Sequence, residues 1–75
     1  MEQEQLYRIV VSQRSGQFLS TILDACGESS LMTMKEKSYV VRTTKAIAEK
    51  LKVDNDWVEK VELYLIYHVR SVVDE

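Results

Sequence analysis

Apolar residues recur every three or four positions through most of the chain, which is the spacing of one face of an α-helix. The first such stretch runs from about Gln3 to Cys26, and the second runs from about Lys35 to Lys52. A third continues from Asp56 to about Val73. Two short runs of β-branched residues, VVSQ and YVVR, fall within the same spacing. The pattern therefore predicts an all-α fold, a small bundle of three or four helices with a long C-terminal helix.

Glycines and capping residues predict where these helices begin and end. Gly16 is a weak point, because glycine inside a helix costs about 1 kcal/mol relative to alanine, so the first stretch is one bent helix or two. Gly27 is expected to end it, since glycine readily adopts positive φ. The segment Thr33–Glu36 has the form of a capping box for the second helix. Either Asp54 or Asp56 can cap the third.

The third predicted helix is apolar on nearly all sides, which is typical of a helix that is buried. One stripe comprises Val58, Val61, Leu65, His68, Val69 and Val72. Other sides carry Trp57, Tyr64, Ile66, Tyr67 and Val73. Two short partner helices cannot cover so much apolar surface within one chain. The alternative is that the N-terminal helix covers the aromatic rings, but burial against a second chain is favoured.

The size of the chain also favours association. Seventy-five residues form a single domain, residues 1–75, with a small core. There is one cysteine, Cys26, and one histidine, His68, so neither an intrachain disulfide nor a four-ligand structural zinc site can be formed. We therefore expect no metal and no cofactor, and a homodimer is the remaining way to increase buried area.

Charge and hydropathy limit the environment and the partners. The formal net charge is −2 at pH 7, so there is no overall basic excess that would favour nucleic acid or an anionic membrane. The apolar runs are too short to cross a bilayer as a helix. The N-terminus begins with acidic residues, unlike a signal peptide. A single free thiol fits a reducing compartment, and the cytoplasm is the expected location.

The segment Ile47–Val53, followed by Val58 and Val61, resembles the helix-turn-helix of bacterial and phage repressors. In that motif Ala48 would lie where the two helices cross. The chain departs from the pattern at Lys52, where the motif usually has glycine. The would-be recognition helix also carries four carboxylates, which oppose contact with DNA phosphates.

A longer stretch, from Phe18 to about Val69, resembles the opening helices of HD-type phosphohydrolase domains, in particular the subgroup that hydrolyses cyclic dinucleotides. The matching apolar positions are Phe18, Leu19, Ile22, Leu23, Val40, Ile47, Ala48, Leu51, Val53, Val58, Val61, Leu63, Leu65 and Ile66. The resemblance places His68 at the histidine of the family's histidine-aspartate pair. The aspartate position is Val69 and an earlier histidine position falls at about Glu36, so the resemblance implies a truncated scaffold without the metal ligands.

We therefore expect a non-enzymatic regulatory or adaptor protein that acts through helical contacts with a protein partner, with a second copy of itself, or with both. No catalytic residue is expected. Aromatic residues often dominate binding energy, and the expected contact residues are Trp57, Val61, Tyr64, Leu65, Tyr67, His68 and Val72. The alternative is a helix-turn-helix-like DNA-binding transcriptional regulator that uses a basic face of Lys35, Lys37, Arg42 and Lys45.

Overall fold

The computed structural model describes residues 3–65, which form a four-stranded antiparallel sheet with two α-helices on one of its faces. A short 3₁₀ turn, Glu28–Ser30, lies between the first helix and the second strand. The elements in chain order are β1 (Gln5–Val11), α1 (Gly16–Cys26), β2 (Leu31–Lys35), β3 (Ser38–Thr43), α2 (Lys45–Asp54) and β4 (Val58–Leu63).

The strands lie in the order β2-β3-β1-β4, and every neighbouring pair is antiparallel. Each helix connects two strands that are separated in the sheet by a third strand. The arrangement is therefore two interleaved split βαβ units, which is the ferredoxin-like topology. In this order β2 and β4 are the two edge strands among the described residues, and β1 and β3 are central.

The core lies between the sheet and the helices. On the central strands, alternate side chains such as Ile9 and Val41 point toward the helices and are fully buried. The helices contribute Ile22, Ala48 and Leu51 to the same cluster. The remaining alternate residues of β1 and β3 lie on the opposite side of the sheet, which no helix within residues 3–65 covers. We call that side the open face.

Both helices begin at residues suited to capping. The Ser15 hydroxyl accepts a hydrogen bond from the backbone N–H of Gln17, at 3.2 Å, and the Thr44 hydroxyl accepts one from the N–H of Ile47, at 3.3 Å. Gly16 is the first residue of α1 and does not interrupt a helix. Gly27, with φ of 102°, follows the last residue of α1, so the prediction that it ends the helix is confirmed.

The hairpin between β2 and β3 turns through Glu36 and Lys37. Lys35 pairs with Ser38, so the loop has two residues, and Glu36 has φ of 50°. Two-residue hairpin loops favour turns with positive φ at the first loop position, because these match the strand twist. The prediction that Thr33–Glu36 caps a helix is wrong, since these residues form the end of β2 and this turn.

The predicted all-α bundle is also wrong, because the chain forms an α+β structure. The two β-branched runs that were assigned to helices lie largely in β1 and β3. In β1 the helix-facing residues Tyr7, Ile9 and Val11 alternate with apolar residues on the open face, Leu6 and Val10. A strand that is apolar on both faces also has apolar positions at spacings of three and four, so its sequence resembles a helical stripe.

The predicted long C-terminal helix is wrong over the part that the structure describes. Residues Val58–Leu63 form β4, which pairs with β1. The rest of that prediction, residues 66–73, lies outside the described residues. Within residues 3–65, neither helix is long and apolar enough to cross a membrane.

Candidate protein-contact surfaces

The outer edge of β2 is the most exposed apolar strand surface in the described part of the chain. All of its residues after Leu31 are exposed, including Met32 at 50% and Met34 at 42%. No strand within residues 3–65 pairs with this edge. Its only charged residue is Lys35, at the end of the strand. An edge strand with so few charges is open to pairing with another strand.

The other edge strand, β4, carries the charged residues that commonly prevent edge pairing. It contains Glu59, Lys60 and Glu62 within six residues. The Glu62 carboxylate lies 3.4 Å from the Lys60 ammonium and 3.3 Å from the guanidinium of Arg8 on β1. The two edges therefore differ in chemistry, and β2 is the one suited to accept a partner strand.

A shallow groove of about 320 Å³ lies on the helix side of β2, where α1 begins. The Met34 side chain reaches it because Met34 lies opposite Tyr39, a helix-facing residue of β3. The groove is lined by Arg14, Ser15, Gly16, Leu19, Met34 and Tyr39. An apolar side chain from a strand added beside β2 could occupy this space.

The open face of the sheet is rich in basic residues. The strand register places four of them on this face and one acidic residue, Glu62. The basic residues are Arg8, Lys35, Arg42 and Lys60. Tyr7 and Tyr39 point toward the helices, so the central strands offer no aromatic rings on the open face on which nucleobases could stack.

The four predicted interface residues that the structure describes do not lie together on one free surface. The Trp57 ring is half-buried and stacks on Phe18 of α1, with ring centroids 4.1 Å apart and planes 3° from parallel. Val61 lies against the core, while Tyr64 is half-buried and Leu65 is exposed. The other three predicted contact residues, Tyr67, His68 and Val72, lie outside the described residues.

The four basic residues of the alternative prediction are distributed over two sides of the molecule. Lys35 and Arg42 lie on the open face, with Lys37 in the adjacent hairpin turn. Lys45 begins α2 and lies 3.9 Å from Glu49 on the same helix. The helix-turn-helix geometry is not formed, because α2 is followed by β4 and not by a second helix.

Chemically reactive side chains are sparse in the described region. Cys26 is half-buried, and burial raises the pKa of its thiol, although a hydrogen bond with the Thr43 side chain partly opposes this effect. The thiol is therefore protonated at neutral pH, which disfavours a nucleophilic role. Within residues 3–65, no group of three or more His, Cys, Asp or Glu residues could hold a metal ion.

The two methionines of β2 are site residues that sequence reasoning did not select. In the sequence they flank Thr33 at the junction before the second predicted helix, where a methionine fills a gap in the core or suits an adaptable binding surface. Their exposure depends on β2 being an edge strand, and the strand order depends on long-range pairing. The only local sequence signal of an exposed apolar strand is the run Leu31–Met34, which is apolar apart from one threonine and carries no charge.

Comparison with known proteins gives no relative. No protein-family model, no curated protein and no solved structure matches this chain. The ferredoxin-like topology itself hosts many unrelated functions, so the topology alone does not indicate what this chain does.

Proposed function

We propose that this chain is a small non-enzymatic regulatory or adaptor protein of the cytoplasm that acts by contacting other protein chains. The observation that carries the proposal is the outer edge of β2, which pairs with no strand within residues 3–65 and on which Met32 and Met34 are exposed. Exposed apolar side chains on an open edge lose solvent contact when another strand is added. The cytoplasmic location is supported by the free thiol of Cys26.

Strand addition fits the chemistry of this edge. The outward backbone N–H and C=O groups of β2 can form a ladder with a partner strand, which supplies affinity without a deep pocket. The methionine side chains can adjust to different partners, because they are unbranched and polarisable. In this proposal a strand edge replaces the helical contact surface predicted from the sequence. Tyr64 and Leu65, which follow β4, remain predicted contact residues, as do Tyr67, His68 and Val72 outside the described residues.

Replacing Met32 by Lys is expected to weaken partner binding by about tenfold or more, which corresponds to about 1.4 kcal/mol. A lysine on an edge strand adds a charge that must be desolvated when a strand is added. The first measurement is affinity capture from extracts of the native host cells, with the retained proteins quantified by mass spectrometry. The affinity of each retained protein is then measured with purified components.

The matched control is Val53→Lys, the same kind of change at a residue of α2 that is 82% exposed and lies away from the edge. Proteins retained by the wild-type chain and by Val53→Lys, but lost with Met32→Lys, support the proposal. If both variants retain the same proteins equally, β2 is not the contact. If the wild-type chain binds no protein and does not self-associate, the adaptor function is wrong.

A second candidate function, contact with duplex DNA, is favoured by the basic open face. It ranks second because the net charge of the chain is −2 and four basic residues offer few phosphate contacts. For this candidate, Arg42→Glu is expected to abolish a mobility shift at low salt, while Lys52→Glu on α2 leaves it unchanged. The absence of any shift of wild-type protein at low salt would exclude the candidate.

A further inference from the structure

We propose that the strand added to β2 is the β2 strand of a second copy, antiparallel and centred on Thr33, so that two four-stranded sheets join into one sheet of eight. The inference rests on the proposed function, because it names the partner of the same edge. A symmetric pair about a twofold axis is the commonest form of protein self-association.

The charges at the two ends of β2 favour an antiparallel arrangement. Glu28 lies in the 3₁₀ turn before the strand, and Lys35 and Lys37 lie at its other end, on either side of Glu36. Antiparallel pairing brings the acidic end of one strand beside the basic end of its partner. Parallel pairing would bring like ends together, which disfavours it.

The register follows from the position of Lys35. With Thr33 opposite Thr33, the two Lys35 side chains are separated by about four residues along the strands, or about 14 Å. With Met34 opposite Met34, they become diagonal neighbours at about 7–8 Å on the same face of the sheet, where like charges repel. Pairing centred on Thr33 therefore keeps the two Lys35 side chains apart. It also keeps the acidic end of each strand beside the basic end of its partner.

The same register buries the apolar side chains of the edge. Met32 and Met34 flank Thr33, so Met32 of one copy lies opposite Met34 of the other copy. The partner's Met32 would lie beside Met34, at the mouth of the groove formed with the start of α1. The β-bulge of β2 lies between Leu31 and Thr33, and regular pairing with β3 resumes at Thr33. Regular pairing therefore covers Thr33 to Lys35, and Met34 of one copy would lie opposite Met32 in the bulge of the other copy.

The test is disulfide trapping in the full-length protein. Each variant also carries Cys26→Ser, which removes the native thiol. Residues directly opposite each other in an antiparallel pair have Cα atoms about 4.5–5.5 Å apart, which lies within the range of a disulfide. Mild oxidation of Thr33→Cys is expected to convert most of the protein into a covalent dimer, seen on a non-reducing gel.

Two further variants test the register. Neither Met32→Cys nor Met34→Cys is directly opposite its own copy, and each is a diagonal neighbour of it at about 7–8 Å. That distance exceeds the usual range of a disulfide, so each alone is expected to cross-link more slowly than Thr33→Cys, although faster than Val53→Cys, the control on α2. An equimolar mixture of Met32→Cys and Met34→Cys is expected to cross-link at least tenfold faster than either alone. Light scattering of the wild-type chain should give twice its mass of 8.7 kDa.

The proposal is overturned if the wild-type chain is monomeric at about 100 μM, a concentration that would populate a dimer with a Kd in the micromolar range. It is also overturned if Thr33→Cys cross-links no faster than Val53→Cys, or if Met34→Cys cross-links with itself faster than it does with Met32→Cys. The wild-type chain could also prove monomeric while Met32→Lys still weakens its binding to other proteins. That result would refute self-pairing and leave the adaptor function intact.

Discussion

Replacing Val41 by Asp is expected to unfold the protein, whereas the same change at the neighbouring Val40 is expected to leave it folded. Both valines are in β3 and both are buried, at 0% and 5% exposure respectively. They point to opposite faces of the sheet, because successive side chains in a strand alternate. Only Val41 belongs to the core cluster between sheet and helices.

The two faces give an inserted carboxyl group different surroundings. At Val41 the neighbours are Tyr7, which lies opposite on β1, and the apolar core, so the carboxyl is desolvated without a partner at a cost of several kcal/mol. A domain of 75 residues has a total stability of only about 4–11 kcal/mol. At Val40 the opposite residue is Arg8, whose guanidinium has five N–H donors and lies near solvent on the open face.

Circular dichroism and thermal melting of the two variants measure the difference. Val41→Asp should lack a cooperative transition, and Val40→Asp should retain a native spectrum with a loss of about 1–2 kcal/mol. The pair also distinguishes the strand from the second predicted helix, because the apolar positions of the family resemblance include Val40 and not Val41. If Val40→Asp unfolds the protein and Val41→Asp does not, the β3 register is wrong.

The parts of the fold that were predictable are those determined by local sequence. Within the first predicted stretch, residues 16–26 do form a helix whose Leu19, Ile22 and Cys26 contact the core, and Gly27 ends that helix. The segment around Ala48 and Leu51 is helical as expected. In each of these segments, residues close together in the sequence supply the caps and the hydrogen bonds that define the element.

The strands were not predictable from spacing, because their pairing is long-range. β3 is a run of four buried residues, Ser38–Val41, with no alternation to mark it as a strand. In β4 the alternation is disturbed where the register with β1 shifts, between Val10 and Val11. The candidate site was missed for the same reason, since the exposure of Met32 and Met34 follows from the position of β2 at the edge of the sheet.

The open face and the β2 edge are linked if the proposed dimer forms. Joining two sheets edge to edge would make one continuous open face and double its basic residues, without covering Arg8, Arg42 or Lys60. An acidic partner would then meet twice the charge on the dimer that it meets on the monomer, and association would depend more steeply on salt. The two candidate functions are therefore compatible, and self-pairing would strengthen the second.

Replacing Trp57 by Ala is expected to lower the stability of the monomer by about 2–3 kcal/mol, below the range for a fully buried tryptophan because the ring is only half-buried. The loss arises because the indole ring stacks on Phe18 and contacts the core at the start of β4. For a domain of this size, that loss lowers the melting temperature by about 10–20 °C. Thermal melting and urea titration measure the effect.

A double-mutant cycle shows whether the stack itself supplies part of that stability. The two rings should be coupled by about 0.5–1.5 kcal/mol, so Phe18→Ala should cost less in the Trp57→Ala background than in the wild-type chain. Light scattering of folded Trp57→Ala should give the same mass as the wild-type chain, since β4 and β2 are opposite edges of the sheet. Unchanged melting with a reduced mass would show instead that Trp57 is a contact with a second chain, as the sequence pattern predicted. The stacked geometry predicts the opposite result, because a ring that already lies against Phe18 offers a partner only its remaining exposed surface.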